Sequence, residues 1–320
     1  MKRIITMLLA LCLLCSLAGC GTKKTPGEVA AEAMPQTALW LRETVSDPTC
    51  AAVGGEWTVL GLARSGLEVP QEYFQIYHEN AAVYTARLGG VLHEKKYTEY
   101  SRVILGMTAI GADPSDVGGF DLLVPLADFE KTVFQGVNGP IFALLALDCG
   151  NYEIPQNTSG TVQATRELYV DYILGAELPT GGWSFAGGSA EADMTAMALQ
   201  ALAKYRSRKD VDEAVERGVA VLAALAIQED GFTSYGESAS ESIAQVIVAL
   251  TELGIPLDDS RFVLKQATLV DRLLEFRQND GSFSHTEDGA GDILATEQAF
   301  YALVAAARAA EGKNSLYTMK

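Results

Sequence analysis

Apolar and polar positions divide the chain into two kinds of helix-length segment that take turns. The first kind is apolar on nearly every side. It comprises EWTVLGLARSG from Glu56, SRVILGMTAI from Ser101, NGPIFALLAL from Asn138, DMTAMALQAL from Asp193, ESIAQVIVAL from Glu241 and LATEQAFYAL from Leu294, which match in hydrophobic phase. The second kind is amphipathic, with charges on one face, and covers roughly 28–46, 70–88, 120–134, 162–178, 210–228 and 261–278. Val215, Val219, Leu222 and Leu225 recur at helical spacing, as do Leu264, Ala267, Leu269, Leu273 and Phe276. Clusters such as LPTGG, QEDG, QNDG and GIP fall where helices should end. No run alternates long enough to require a strand. The pattern predicts an all-α chain in which six amphipathic helices alternate with six more apolar ones.

A helix that is apolar all round must be covered on every side, whereas one with a single stripe needs cover on one. Six hairpins, each pairing the two kinds, meet both demands by closing into a ring with the apolar helices inside. The expected architecture is therefore a single closed α6/α6 toroid. An open solenoid is the alternative, but it favours polar caps at both ends, and LATEQAFYALVAAARAA is as apolar as any inner copy.

Ahead of the repeats stands a leader. Lys2 and Arg3 precede an apolar run from Ile4 to Leu14, too short for a bilayer-spanning helix. Leu17-Ala18-Gly19-Cys20 then resembles the lipobox of bacterial lipoproteins. The resemblance implies a signal peptide at 1–19, a lipidated tether at 20–27 with Cys20 as its acylated N-terminus, and a toroid domain at 28–320. Acyl chains acting together hold a protein stably on a membrane. The implied location is the extracytoplasmic face of a bacterial cell membrane.

Acidic residues outnumber basic ones 41 to 24 for a net charge of −17, and losing Lys2 and Arg3 with the leader takes it to −19. A nucleic-acid partner needs a basic face, so that class is excluded. An acidic body also repels anionic headgroups, which leaves membrane contact to the anchor. With five cysteines and only His78, His93 and His285, a metal site built on those residues is not expected, nor is a cofactor. Cys50 and Cys149 remain in the mature chain, where either a disulfide or two buried thiols would fit.

The turns before the apolar helices carry a second resemblance. Arg217-Gly218 with Gln228-Glu229-Asp230-Gly231-Phe232, Lys265 with Gln278-Asn279-Asp280-Gly281-Ser282-Phe283, and Glu177 with Gly181-Gly182-Trp183 recur about every fifty residues. They resemble the QW repeats of squalene and terpenoid cyclases. Over roughly 30–320 the chain is similar to bacterial surface proteins with a single prenyltransferase and squalene oxidase-repeat toroid. In that family the Gln caps the next helix and stacks on the aromatic, which implies scaffold roles here. The family's chemistry is not carried over. Asp113-Pro114-Ser115-Asp116 is the nearest stretch to the cyclase D-x-D-D acid and reads as a turn. Cys149 and His285 lack the pattern of the prenyltransferase zinc site, and Ala295-Thr296-Glu297-Gln298 lacks the G-C-G-E-Q of a thioester.

Two functions remain. One is a non-catalytic ligand-binding or interaction module, for a small molecule such as a corrinoid, a glycan or a protein. Corrinoid carriers that resemble this family close a β-rich domain over the ligand, a lid that a partner protein would have to supply here. The other is an enzyme acting on a glycan or terpenoid-like substrate through carboxylates at the ring mouth, which for glycoside hydrolysis stand roughly 5 to 9 Å apart. Parallel inner helices bring their first turns to one mouth, where Glu56, Asn138, Asp193, Glu241, Asp292 and Glu297 fall. The plain role for such residues is capping. The functional role is a polar binding mouth, with Asp193 and Glu241 as the best acid–base candidates. Trp183, Tyr235 and His285 flank the same loops, either to stack on a ligand ring or to pack between hairpins. Gln245, Phe300 and Tyr301 face the inner cavity or the core.

Overall fold

The computed structural model describes residues 24–320 apart from 159–160, 230 and 235–236, with 229, 234 and 237 described by backbone only. The amphipathic segments form α1 (Pro26–Thr44), α3 (Gln71–Arg87), α5 (Phe129–Thr132), α7 (Arg166–Gly175), α9 (Lys209–Glu229) and α11 (Leu269–Leu274). The apolar ones form α2 (Glu56–Arg64), α4 (Thr98–Ala109), α6 (Asn138–Cys149), α8 (Ala192–Leu202), α10 (Ser240–Glu252) and α12 (Ile293–Ala310). The fold class is all-α, as the pattern predicts. Its only described strands make two small antiparallel ribbons, β1 (Thr233–Ser234) with β2 (Glu237–Ser238) and β3 (Phe283–Ser284) with β4 (Gly291–Asp292). Strands of two residues leave no alternation for a sequence to display.

Local chemistry sets several helix starts. Thr25 accepts from the Glu28 amide while Glu28 reaches back to the Thr25 amide at 2.7 Å, a capping box ahead of Pro26. Thr268 and Asp271 repeat that box at α11, and Thr165 caps α7.

Two amphipathic segments fall furthest short of the expected length. Over 120–134, Pro125 and the extended backbone of Asp128 (ψ 99°) break the run into 3-10 turns at 124–127 and 133–135 around the single turn α5. Over 261–278, Lys265 and Gln266 take positive φ of 49° and 68° in a turn that bridges Leu264 to Ala267. The apolar spacing of Leu264 and Ala267 therefore belongs to a turn, and α11 starts only after it.

The even-numbered helices lie side by side in one direction. Each packs on the next, and α12 packs on both α1 and α2. Where these helices begin, Thr58 donates to Glu297 at 2.9 Å. Where they finish, Arg308 donates to the Arg64 carbonyl at 3.0 Å and Tyr205 donates to Asp148 at 2.7 Å. On the outside, Arg277 donates to the Gln36 side-chain carbonyl and Gln36 donates to the Asn279 carbonyl, each at 2.7 Å, tying the turn after α11 to α1.

Glycines let α12 seat closely against the start of the chain. A Cβ at Gly61 would lie 2.8 Å from Phe300 Cδ1, and one at Gly27 would lie 2.1 Å from the Ala310 Cβ. Phe300 is fully buried at this joint. Phe300→Ala is expected to destabilise the fold by about 3–5 kcal/mol. The measurement is urea unfolding, with a lower midpoint at unchanged slope.

Candidate functional site

Each even-numbered helix is buried through its middle except at one register. Trp57, Arg102, Phe142, Met197, Gln245 and Gln298 are half-buried, and the residues on either side of each are buried. Asn138, Asp193, Glu241 and Leu294 lie four residues earlier, on the same helix face, and are also partly exposed. Several of these side chains meet. The Trp57 ring stands 5.9 Å from that of Phe142 and 5.7 Å from that of Tyr301, centroid to centroid. Gln200 donates to Gln245 at 3.0 Å, and Gln245 donates to Tyr301 at 2.6 Å and to Gln298 at 3.1 Å. A polar and aromatic shaft thus runs between helices that are otherwise apolar. Gln245 belongs to it, whereas Phe300 is core and Tyr301 supports it from a buried position.

Three expected mouth residues come together at the starts of α8 and α10. The Glu241 carboxylate lies 2.8 Å from His285 Nδ1 and accepts from the Ser240 hydroxyl at 3.2 Å. Asp193 stands beside Glu241, Glu191, His285 and Ser242. Burial is the largest influence on Asp193 and raises its carboxyl above the usual range, with the charges of Glu241 and Glu191 adding to the rise. Its Oδ1 and the Ser242 hydroxyl are buried, yet neither makes a hydrogen bond of ordinary geometry. Asn138 also lies half-buried in its helix's first turn, with a buried Oδ1 that lacks a partner.

Glu297 does not sit at the rim where the sequence places it. It is only 1% exposed, and its Oε2 accepts from the Gly54 amide at 3.0 Å and the Thr58 hydroxyl at 2.9 Å. Glu56, equally buried, accepts from the Ala51 amide at 2.7 Å. The pair therefore clamps the loop ahead of α2, and the second oxygen of each carboxyl is buried without a partner. Arg102, paired with Glu99, supplies the nearby positive charge.

Trp183 is also a correction. It is fully buried, and its ring N–H donates to the Ile173 carbonyl at 2.7 Å, so it packs between hairpins and does not face a mouth. Capping, the plain role for the helix-start acids, holds for Asp292, which accepts from the Ala295 amide. It does not hold for Glu56, Asn138, Asp193 or Glu241, because the cap positions of their helices are Gly55, Val137, Glu191 and Ala239, none with a side-chain cap bond. Tyr235 and Cys20 lie outside the described residues. Cys50 and Cys149 are both buried free thiols.

A cleft of about 480 Å³ opens beside this cluster, lined by Phe185, Glu191, Asp193, Met194, Met197 and Leu225 among others. It shares Asp193 and Met197 with the shaft. Phe185 is 66% exposed over it. Glu191 holds that loop by accepting from the Ser184 hydroxyl at 2.8 Å and the Phe185 amide at 3.1 Å. Among the described residues, no group of three or more His, Cys, Asp or Glu side chains is placed to hold a metal ion. Compared with known proteins, the chain matches no family model and no curated sequence.

The Glu297 clamp has a pH consequence. Burial pushes its carboxyl from the usual 4.5 up to about 7; Glu56 adds to the rise, while Thr58, Gly54 and Arg102 oppose it. A carboxyl raised in the folded state binds its proton more tightly there, so its contribution to stability is complete below about pH 4.5 and is lost as pH climbs through about 7. The thermal midpoint is expected to fall between pH 5 and pH 8. Glu297→Gln is expected to lessen that fall, and an unchanged pH slope would remove Glu297 as its source.

Proposed function

We propose that this chain is a membrane-anchored bacterial lipoprotein whose body is a closed α6/α6 toroid, related to the squalene cyclase-repeat proteins. Its work is to hold a ligand at the end of the ring where the inner helices begin. Closure is supported by the cyclic order of packing, in which α12 meets α2 after each even-numbered helix has met the next. The Arg277–Gln36 and Gln36–Asn279 bonds support it from outside. The anchor rests on the charged and apolar leader that ends in Leu17-Ala18-Gly19-Cys20.

The observation that carries the binding reading is the shared register of Trp57, Arg102, Phe142, Met197, Gln245 and Gln298, where six apolar helices each keep one side chain within reach of solvent. A purely structural ring has no need to expose the same position six times over. The rim above it is rich in acceptors, with Asn138 Oδ1 and Asp193 Oδ1 buried and unpaired. A ligand that presents hydrogen-bond donors relieves that cost, whereas an isoprenoid diphosphate would meet Asp193 and Glu241 as like charges. Binding is favoured over hydrolysis because Glu241 is already held by His285 and Ser240, unlike the free carboxylic acid that protonates a leaving group.

Trp57 provides the test, since Trp183 is fully buried elsewhere and Trp40 lies on α1, away from this register. In a thermal-shift screen of corrinoids, oligosaccharides and amines, a true ligand at a hundred times its Kd stabilises the fold by about 2.7 kcal/mol. The same ligand is expected to shift Trp57 emission, with the shift missing from Trp57→Phe and affinity reduced in Gln245→Ala. A stabilising ligand indifferent to both substitutions would move the site elsewhere. Cys20→Ser is expected to transfer the protein from the membrane to the soluble fraction on fractionation of cells.

A further inference from the structure

The cleft beside α8 differs from the shaft in its chemistry. Phe185, Met194, Met197 and Leu225 give it apolar walls, and among the described residues the charged groups lining it are Glu191 and Asp193. The two acids are not equivalent. Both oxygens of Glu191 are spent on holding the Phe185 loop. Asp193 keeps a buried Oδ1 with no partner. Behind it, the fully buried Ser242 hydroxyl faces the same carboxyl and partly offsets the effect of its burial. A second carboxylate, Glu241, stands close by, with the His285 ring hydrogen-bonded to it.

We propose that this cleft binds an organic amine, with a protonated ammonium on Asp193 and an apolar or aromatic body along Phe185, Met194, Met197 and Leu225. The assignment rests on the binding reading above and names the ligand class for that site. A partly buried carboxylate beside two like charges is costly, and a cation that brings its own N–H donors offsets charge and adds a hydrogen bond together. Thioether and aromatic walls suit the body of such a ligand, because methionine adapts to irregular shapes and an exposed aromatic face attracts a cation. A cleft of about 480 Å³ is of the size that encloses a small molecule. Glu191 is a positioning residue, since it acts through the Phe185 loop.

The test compares two probes of nearly the same shape, 2-phenylethylamine and 2-phenylethanol, by titration calorimetry on the lipid-anchored chain in detergent. The amine is expected to bind about tenfold more tightly than the alcohol at pH 7, the difference between a charge-assisted and a neutral hydrogen bond. Added salt is expected to narrow that advantage. Asp193→Asn, which keeps the shape and one carbonyl oxygen, is expected to abolish the advantage while leaving binding of the alcohol intact. Glu191→Gln is expected to weaken both probes alike. Equal affinities for amine and alcohol, an advantage that survives in Asp193→Asn, or no binding of either probe at millimolar concentration would each overturn the assignment. Oligosaccharides that bind through Trp57 while both probes stay silent would leave the binding site standing and remove only the amine.

Discussion

A helix that is apolar on nearly every side has no place at a protein surface, and this chain contains six of them. Each must be surrounded, and the last packs against the first. The joint between α12 and the pair α1 and α2 therefore bears on everything else. Phe300 seats against Gly61, and Ala310 against Gly27, at distances that no larger residue than glycine permits without displacement. With that joint made, residues far apart in sequence, such as Thr58 and Glu297, become neighbours. Without it, the apolar faces of α2 and α12 would lie open to water.

The same constraint explains why polar chemistry collects at one end. Helices that run in one direction present all their first turns together, with free amides and the positive ends of their dipoles. Acids stand at or near those turns, and the chain uses them in two ways. Glu56 and Glu297 turn inward and clamp the loop ahead of α2 through backbone amides. Asp193 and Glu241 remain partly exposed and keep His285 and Ser242 beside them. The four acids carry similar sequence signals, yet they do different jobs. Depth below the surface separates them.

Legibility in the sequence follows from how local each cause is. The all-α class and the alternation of two helix types were readable because hydrophobic phase is a property of a dozen neighbouring residues. So were the acids at Asp193 and Glu241 and the nearby His285, since a helix start is announced by its turn. Length failed where a single residue overrides a periodic pattern, as Pro125 does in the third amphipathic segment and the Lys265–Gln266 turn does in the sixth. The shaft residues Trp57, Arg102, Phe142 and Met197 were missed, although aligning the six apolar helices by phase places them at one register. Their types are too varied to draw the eye, and only exposure unites them.

By itself, the sequence determined that the chain is built of alternating apolar and amphipathic helices, that its charge is strongly acidic, and that acids gather where the apolar helices start. These are consequences of composition and short-range periodicity. Tertiary structure alone decided which of those acids are accessible. It buried Trp183 and Glu297, left Asp193 with an unpaired oxygen beside a cleft, and joined Glu241 to His285 across 44 residues. Depth below the surface depends on how whole helices seat against one another, and no local pattern encodes it.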